Sequence, residues 1–234
     1  GNFDDCQRMV KDYFKFNNEN KKINLAAVNS INWVRIMGQI VYYFWSYFRV
    51  TRKFEPLSFV VPTGNFGNAY AGYISKKMGL PIKKIIISSN KNDILTRFFK
   101  TGIMEIKKTL TSLSPSMDIQ VSSNFERLLF DCYENGKMIK KLFYKLENKK
   151  EFSIEKTHLK KMRKIFGYGK LSDSDTKKTI SQIYNKYKLI IDPHTAVGIS
   201  VGDKELNNKE KRIYLATAHY SKFIKTVKES VKKK

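Results

Sequence analysis

Apolar residues recur along this chain in two rhythms, and the change from one to the other outlines its elements. From Ser30 onward they fall at Val34, Met37, Val41, Phe44 and Phe48, the spacing of one helix face. Lys53 to Pro56 breaks that pattern. Leu57 to Val61 is a short run of β-forming residues, followed by the polar loop Pro62-Thr63-Gly64-Asn65-Phe66-Gly67-Asn68. Helical spacing returns over Ala69 to Met78 and stops at Gly79 and Pro81. A second apolar run, Ile85-Ile86-Ile87, leads through another polar loop into a helix from Asp93 to Lys100, closed by Gly102. Strand, loop and helix, given twice, form the pattern of a parallel sheet with crossover helices. The fold class expected is α/β.

Outside this stretch the rhythm is looser. Residues 1–29 read as an opening segment with an amphipathic helix around Cys6 to Phe16. Asp118 to Val121 runs into Ser123-x-x-Glu126, a capping-box pattern that opens an apolar helix through Leu128, Leu129 and Phe130. Leu189 to Ile191 is a strand candidate ending at Asp192-Pro193, after which Thr195 could cap a helix. Arg212 to Leu215 reads as a last strand, and Ser221 to Val231 as a closing helix on Ile224, Val227 and Val231. Between Cys132 and Lys170 short apolar runs alternate with basic residues. That marks 132–170 as a connector or insertion and leaves 1–131 and 171–234 as one lobe. There are no internal repeats.

Composition adds bounds. The chain has 234 residues, 41% hydrophobic and 13% aromatic, enough for a buried core, which rules out global disorder. Ile36 to Phe48 is the greasiest stretch, but it contains Gln39 and Ser46 and is flanked by Arg35 and Arg49. It is shorter than the ~20 apolar residues of a membrane span, so it reads as a buried helix and no membrane partner is expected. Cys6 and Cys132 cannot build a disulfide framework and form no C-x-x-C pair; a reducing, cytoplasmic setting without a metal is expected. Opening at Gly1 without Met, in a polar segment, the sequence reads as a processed or internal piece of something longer.

The charge of +24 raises nucleic acid as a partner. Three features read against it. Eight of the 45 basic residues are Arg, the residue best suited to bidentate contacts. Lys is accompanied by abundant Asn, Ile, Phe and Tyr, as AT-rich coding favours. No zinc-finger spacing, aromatic RNP pattern or GXXG loop occurs. The excess concentrates in Lys137 to Lys170, with 12 basic and three acidic residues, and in the Lys232-Lys233-Lys234 tail; both are expected to be solvated lysine faces.

The sharpest chemical feature is Thr63 to Asn68. Two glycines let backbone N–H groups turn inward, the following helix N-terminus favours an anion, and the loop falls at the carboxyl end of a strand. It matches neither G-x-G-x-x-G nor G-x-x-x-x-G-K-[ST]. On local chemistry alone, an anion loop and a plain connecting turn are both open. His158, His194 and His219 are scattered without ligand spacing, which argues against a metal site or cysteine–histidine catalysis. Thr217, just after the last strand, offers a hydroxyl that either caps a turn or meets a ligand.

At these residues the chain resembles the threonine synthase family, in the branch found in fungi and many bacteria. The strings that carry the likeness are FDDCQ (Phe3 to Gln7), NSINWVRI and QIVYYF (Asn29 to Phe44), VPTGNFGN, SNKNDILTRFFKTG, LSPSMDIQVSSNFERLLFD (Leu113 to Asp131), DPHTAVG and ATAHYSKF. They follow the family's order and cover most of the chain except about residues 132–185. The resemblance implies the tryptophan synthase β-like fold, fold type II of the pyridoxal-phosphate enzymes, here incomplete. It implies a lyase of amino-acid biosynthesis that converts O-phospho-L-homoserine and water to L-threonine and phosphate. Gly64, Asn65, Phe66, Gly67 and Asn68 would cup the phosphate of pyridoxal 5'-phosphate, and Thr217 would face its ring nitrogen. Asn29, Ser30, Asn32 and Arg35 would lie near the substrate, with Arg35 the candidate for its phosphate. His194 and Thr195 would line the pocket, His194 in a structural role.

The departures matter as much. Family members carry an earlier half with the Schiff-base lysine in a phenylalanine-lysine-aspartate context, and no such context occurs here. The chain reads as the carboxyl-terminal portion, inactive by itself, with the amino-terminal half as its partner and no lysine to nominate as catalytic. Asn2, Asn68 and Tyr220 stand where threonine, aspartate and proline are usual. A phospholyase that makes no threonine, a truncated non-catalytic paralogue, and a basic polyanion-binding module are the alternatives.

Overall fold

The computed structural model describes residues 3–20 and 23–231; Gly1, Asn2 and the Lys232-Lys233-Lys234 tail, each singled out above, lie outside the described residues. The chain begins with helices α1 (Phe3–Asn20) and α2 (Trp33–Val50). Strand β1 (Leu57–Pro62), helix α3 (Gly67–Lys77), strand β2 (Ile82–Ser89), helix α4 (Ile94–Thr101) and strand β3 (Ile103–Glu105) follow. Then come α5 (Phe125–Tyr133), α6 (Gly136–Lys149), β4 (Glu151–Ser153), α7 (Lys156–Ile165) and β5 (Phe166–Lys170). The chain closes with α8 (Asp173–Tyr187), α9 (Pro193–Glu205), β6 (Arg212–Tyr214) and α10 (Ile224–Val231).

Four strands make the main sheet in the order β5-β2-β1-β6, every pair parallel, as the α/β expectation required. All of β1 is buried, since a central parallel strand is covered on both faces. Its side chains sort by alternation. Phe59 and Val61 enter the large core with α2, α3 and α4, whereas Val60, with Ile86 of β2, packs against Val197 and Val201 of α9. Among the described residues no helix is long and apolar enough to cross a membrane.

Several expectations need correction. Helix α2 is not wholly buried, and its core stripe is Ile36, Ile40, Tyr43 and Tyr47. Val34, Met37, Val41 and Phe48, the stripe read from spacing, are exposed. The helix is apolar nearly all round, so periodicity could not choose a face. The Ser123–Glu126 capping box does not form: Asn124 is the N-cap residue of α5, without a side-chain cap bond. Leu189 to Ile191 pairs with no strand among the described residues, and Asp192 rather than Thr195 caps α9 through its side chain. Helix α1 is longer than the Cys6 to Phe16 expected. Apart from these corrections, residues 132–170, expected to be a connector or insertion, hold two helices and two strands; β4 pairs antiparallel with β3, and β5 forms an edge of the main sheet.

Candidate functional site

In a parallel sheet the carboxyl ends of neighbouring strands share one edge. Strands β1 and β6 pair from Ser58–Arg212 to Val60–Tyr214, so the loop after β1 and the segment after β6 emerge side by side. Between them is a cavity of about 490 Å³ whose wall includes Arg35, Gly64, Asn65, Asn68, His194 and Thr217.

The loop is held by its neighbours. Asn65 Oδ1 accepts from the Gly67 amide at 2.9 Å, while its Nδ2 donates to Ser30 Oγ at 3.0 Å. Asn124 Nδ2 donates to the same Ser30 oxygen at 2.9 Å, its amide donates to Asn65 O at 3.0 Å, and Ser122 Oγ donates to Gly64 O at 2.7 Å. The glycines are required by crowding. A Cβ on Gly64 would stand 2.8 Å from Ile119 Cδ1 and 3.1 Å from Met117 Cα, and one on Gly67 would stand 2.8 Å from Ser30 Cβ. The residue with left-handed backbone is Phe66, at φ 65°, whose buried ring packs 5.1 Å from that of Phe125. Only the backbone of Phe66 is therefore available to the loop's concave side. Amides of Gly64, Asn65 and Phe66 meet no acceptor among the described residues.

The substrate candidates divide. Arg35 is exposed and borders the cavity. Asn29 Oδ1 accepts from the Ile31 amide, and Asn32 Oδ1 caps α2 by accepting from the Val34 amide, each at 3.0 Å. Asn29, Ser30 and Asn32 thus build the turn that presents Arg35. Thr217 is exposed at the cavity rim.

Sequence reasoning missed Asn124, Ser122 and Gln39. Asn124 sits beside the capping-box pattern that drew attention to its neighbours. Gln39 carried a signal, being a polar residue in an apolar helix, and it lines the cavity one turn beyond Arg35. Unpartnered buried side-chain atoms gather here: Gln39 Oε1, Asn68 Oδ1 and His194 Nε2 all belong to lining residues. No carboxylate is among the described lining residues, so the wall suits an anion. A larger cavity of about 720 Å³, lined by Arg127, Phe130, Ile139 and Tyr144, contains none of these unpartnered atoms. Behind His194, burial by itself raises the Asp192 carboxyl, but hydrogen bonds from His194 and Thr195 outweigh it and hold it below its ordinary value.

No family model matches the chain. Threonine synthase of Eremothecium gossypii is 43% identical over 99% of the chain and 49% of that protein's length. Threonine synthase of Pseudomonas aeruginosa is 44% identical over 98% of the chain and 50% of its own length. A crystal structure titled as threonine synthase from Brucella melitensis with PLP bound superposes with a TM-score of 0.90 at 42% identity, covering 98% of this chain and 50% of that one. The chain is a threonine synthase homologue. It spans about half the length of the curated threonine synthases it matches. Its architecture, a parallel sheet flanked by helices, is that of these fold type II enzymes.

Proposed function

We propose that this chain supplies the phosphate cup and the ring-nitrogen partner of a pyridoxal-phosphate-dependent threonine synthase. The whole enzyme would convert O-phospho-L-homoserine and water into L-threonine and phosphate. One observation carries the reading: the 64–68 loop and Thr217 border a single cavity with no carboxylate among its described lining residues.

The residues present fit the cofactor. Amides of Gly64, Asn65 and Phe66 are free for a phosphate, and Asn68 adds a first-turn helix amide. Gly67 serves by its small size, because Asn65 already occupies its N–H. Pyridoxal phosphate, when bound, supplies an electron sink for bond changes at the amino acid's carbons. A hydroxyl is too weak an acid to protonate a pyridine nitrogen, so Thr217 would give a hydrogen bond and leave the ring neutral. That favours elimination and replacement away from the α carbon. Arg35 would hold the substrate's phosphate, in the geometry its fork favours. The Schiff-base lysine is taken to come from the half of the family's length that this chain does not span, so the chain by itself would not turn over.

Binding tests this without turnover. Pyridoxine 5'-phosphate has an alcohol in place of the aldehyde and cannot form imines with the many lysines. In calorimetry it is expected to bind one-to-one, with inorganic phosphate as competitor and Thr217→Val weakening the affinity. No saturable binding by the wild-type chain would overturn the assignment.

A further inference from the structure

We propose that His194 is a ligand-contacting residue of this cavity, its Nε2 accepting a hydrogen bond from a hydroxyl or protonated amine of the ligand while Asp192 holds Nδ1. This rests on the cavity assignment above. His194 and Asp192 are each 2% exposed, and Nδ1 lies 3.0 Å from Asp192 Oδ1. A carboxylate partner keeps the proton on Nδ1, which leaves Nε2 as an acceptor in the neutral ring. That nitrogen is buried and has no partner, in a residue that lines the cavity.

The cap on α9 does not need the whole imidazole. Asp192 caps α9 by accepting from the amides of His194, at 2.8 Å, and Thr195, at 3.3 Å, and from the Thr195 hydroxyl. Any residue but proline at 194 could supply the first of these. The ring adds its Nδ1 hydrogen bond to the cap, which a shorter polar side chain could also give, and leaves Nε2 unsatisfied, a cost that the cap does not require. Phe223, with its ring centre 5.0 Å away, offers no hydrogen bond from its ring. Gln39 Oε1 and Asn68 Oδ1 are unpartnered acceptors of the same cavity. Three unpartnered acceptors on residues that line one space call for a ligand that brings donors. The ring hydroxyl of the cofactor and the ammonium group of the substrate share that chemistry.

The chain has three histidines, so ring ¹⁵N signals can be assigned by single substitutions. On saturation with pyridoxine 5'-phosphate or with O-phospho-L-homoserine, the His194 Nε2 resonance is expected to move. A move with the first probe assigns a hydroxyl of the cofactor skeleton as donor, and a move with the second only assigns the amine. His194→Asn keeps a polar atom for Asp192 and removes Nε2; it is expected to match the wild-type denaturation midpoint yet bind the effective probe at least ~10-fold more weakly. His194→Gln, which reaches the Nε2 position, should recover part of that loss. Saturable probe binding with an unmoved Nε2 signal overturns the inference and leaves the cavity assignment standing. Absence of binding by either probe overturns both.

Discussion

Asp192 gathers two backbone amides, a hydroxyl and an imidazole around one buried carboxylate, and the pH dependence of stability should show it. Burial opposes ionisation, but its hydrogen bonds prevail, so the folded-state value lies below the ordinary 3.8. The stabilisation is therefore complete above that value and is lost as pH falls through the folded one. Asp192→Asn retains one acceptor oxygen, puts an NH2 donor in place of the other, and carries no charge. It is expected to be less stable at neutral pH, yet to lose less stability on acidification below pH ~4. Urea midpoints for both proteins across that range check this, and parallel pH profiles would refute it. Phe66 makes a related point. Left-handed backbone costs a bulky residue about 1–2 kcal/mol, whereas deleting a buried Phe ring costs about 3–5 kcal/mol. Core packing wins, and the loop's shape is imposed by the aromatic cluster behind it.

Helix α2 is held at its start by one side chain. Asn32 Oδ1 caps the Val34 amide while its Nδ2 donates to Ala27 O, both at 3.0 Å. Loss of an Asn cap costs about 1 kcal/mol. Asn32→Ala should lower the unfolding free energy by about that amount and also weaken O-phospho-L-homoserine binding, because Arg35, the residue assigned to that phosphate, follows directly from the turn that Asn32 fixes. Unchanged affinity at lowered stability would confine Asn32 to capping. The same element shows what the sequence could reveal. Strand β1, its loop and α3 were legible because each has its own local signal: a β-branched run, two glycines, then helical spacing. Helix α8 was not, since Asp173–Tyr187 is polar and its start is a Ser172 cap among many serines. Leu189 to Ile191 looked like a strand because pairing is non-local and cannot be read from composition. At the site, the loop and Thr217 were found as separate motifs. Their meeting depends on β1 and β6 being sheet neighbours, and the support from Asn124 and Ser122 depends on tertiary contacts alone.

At the scale of the molecule two surfaces oppose each other. Helix α2 exposes Val41 at 60% and Trp45 at 64%, with Met37, Tyr42 and Phe48 also exposed. Contiguous apolar patches of this kind drive association in water. Against that stands a net charge of +24, which repels one copy from another at long range. Repulsion is screened over about 10 Å at 0.1 M salt and over less at higher salt, whereas apolar attraction is not weakened by screening. The chain should therefore be monomeric in dilute salt and associate as salt rises, the reverse of an assembly held by ion pairs. Val41→Lys with Trp45→Lys interrupts the patch on exposed positions and should keep the protein monomeric throughout. Sedimentation velocity from ~0.05 M to ~0.5 M sodium chloride decides the matter. Association that weakens with salt, or that persists undiminished in the double variant, would mean that charge or another surface governs it.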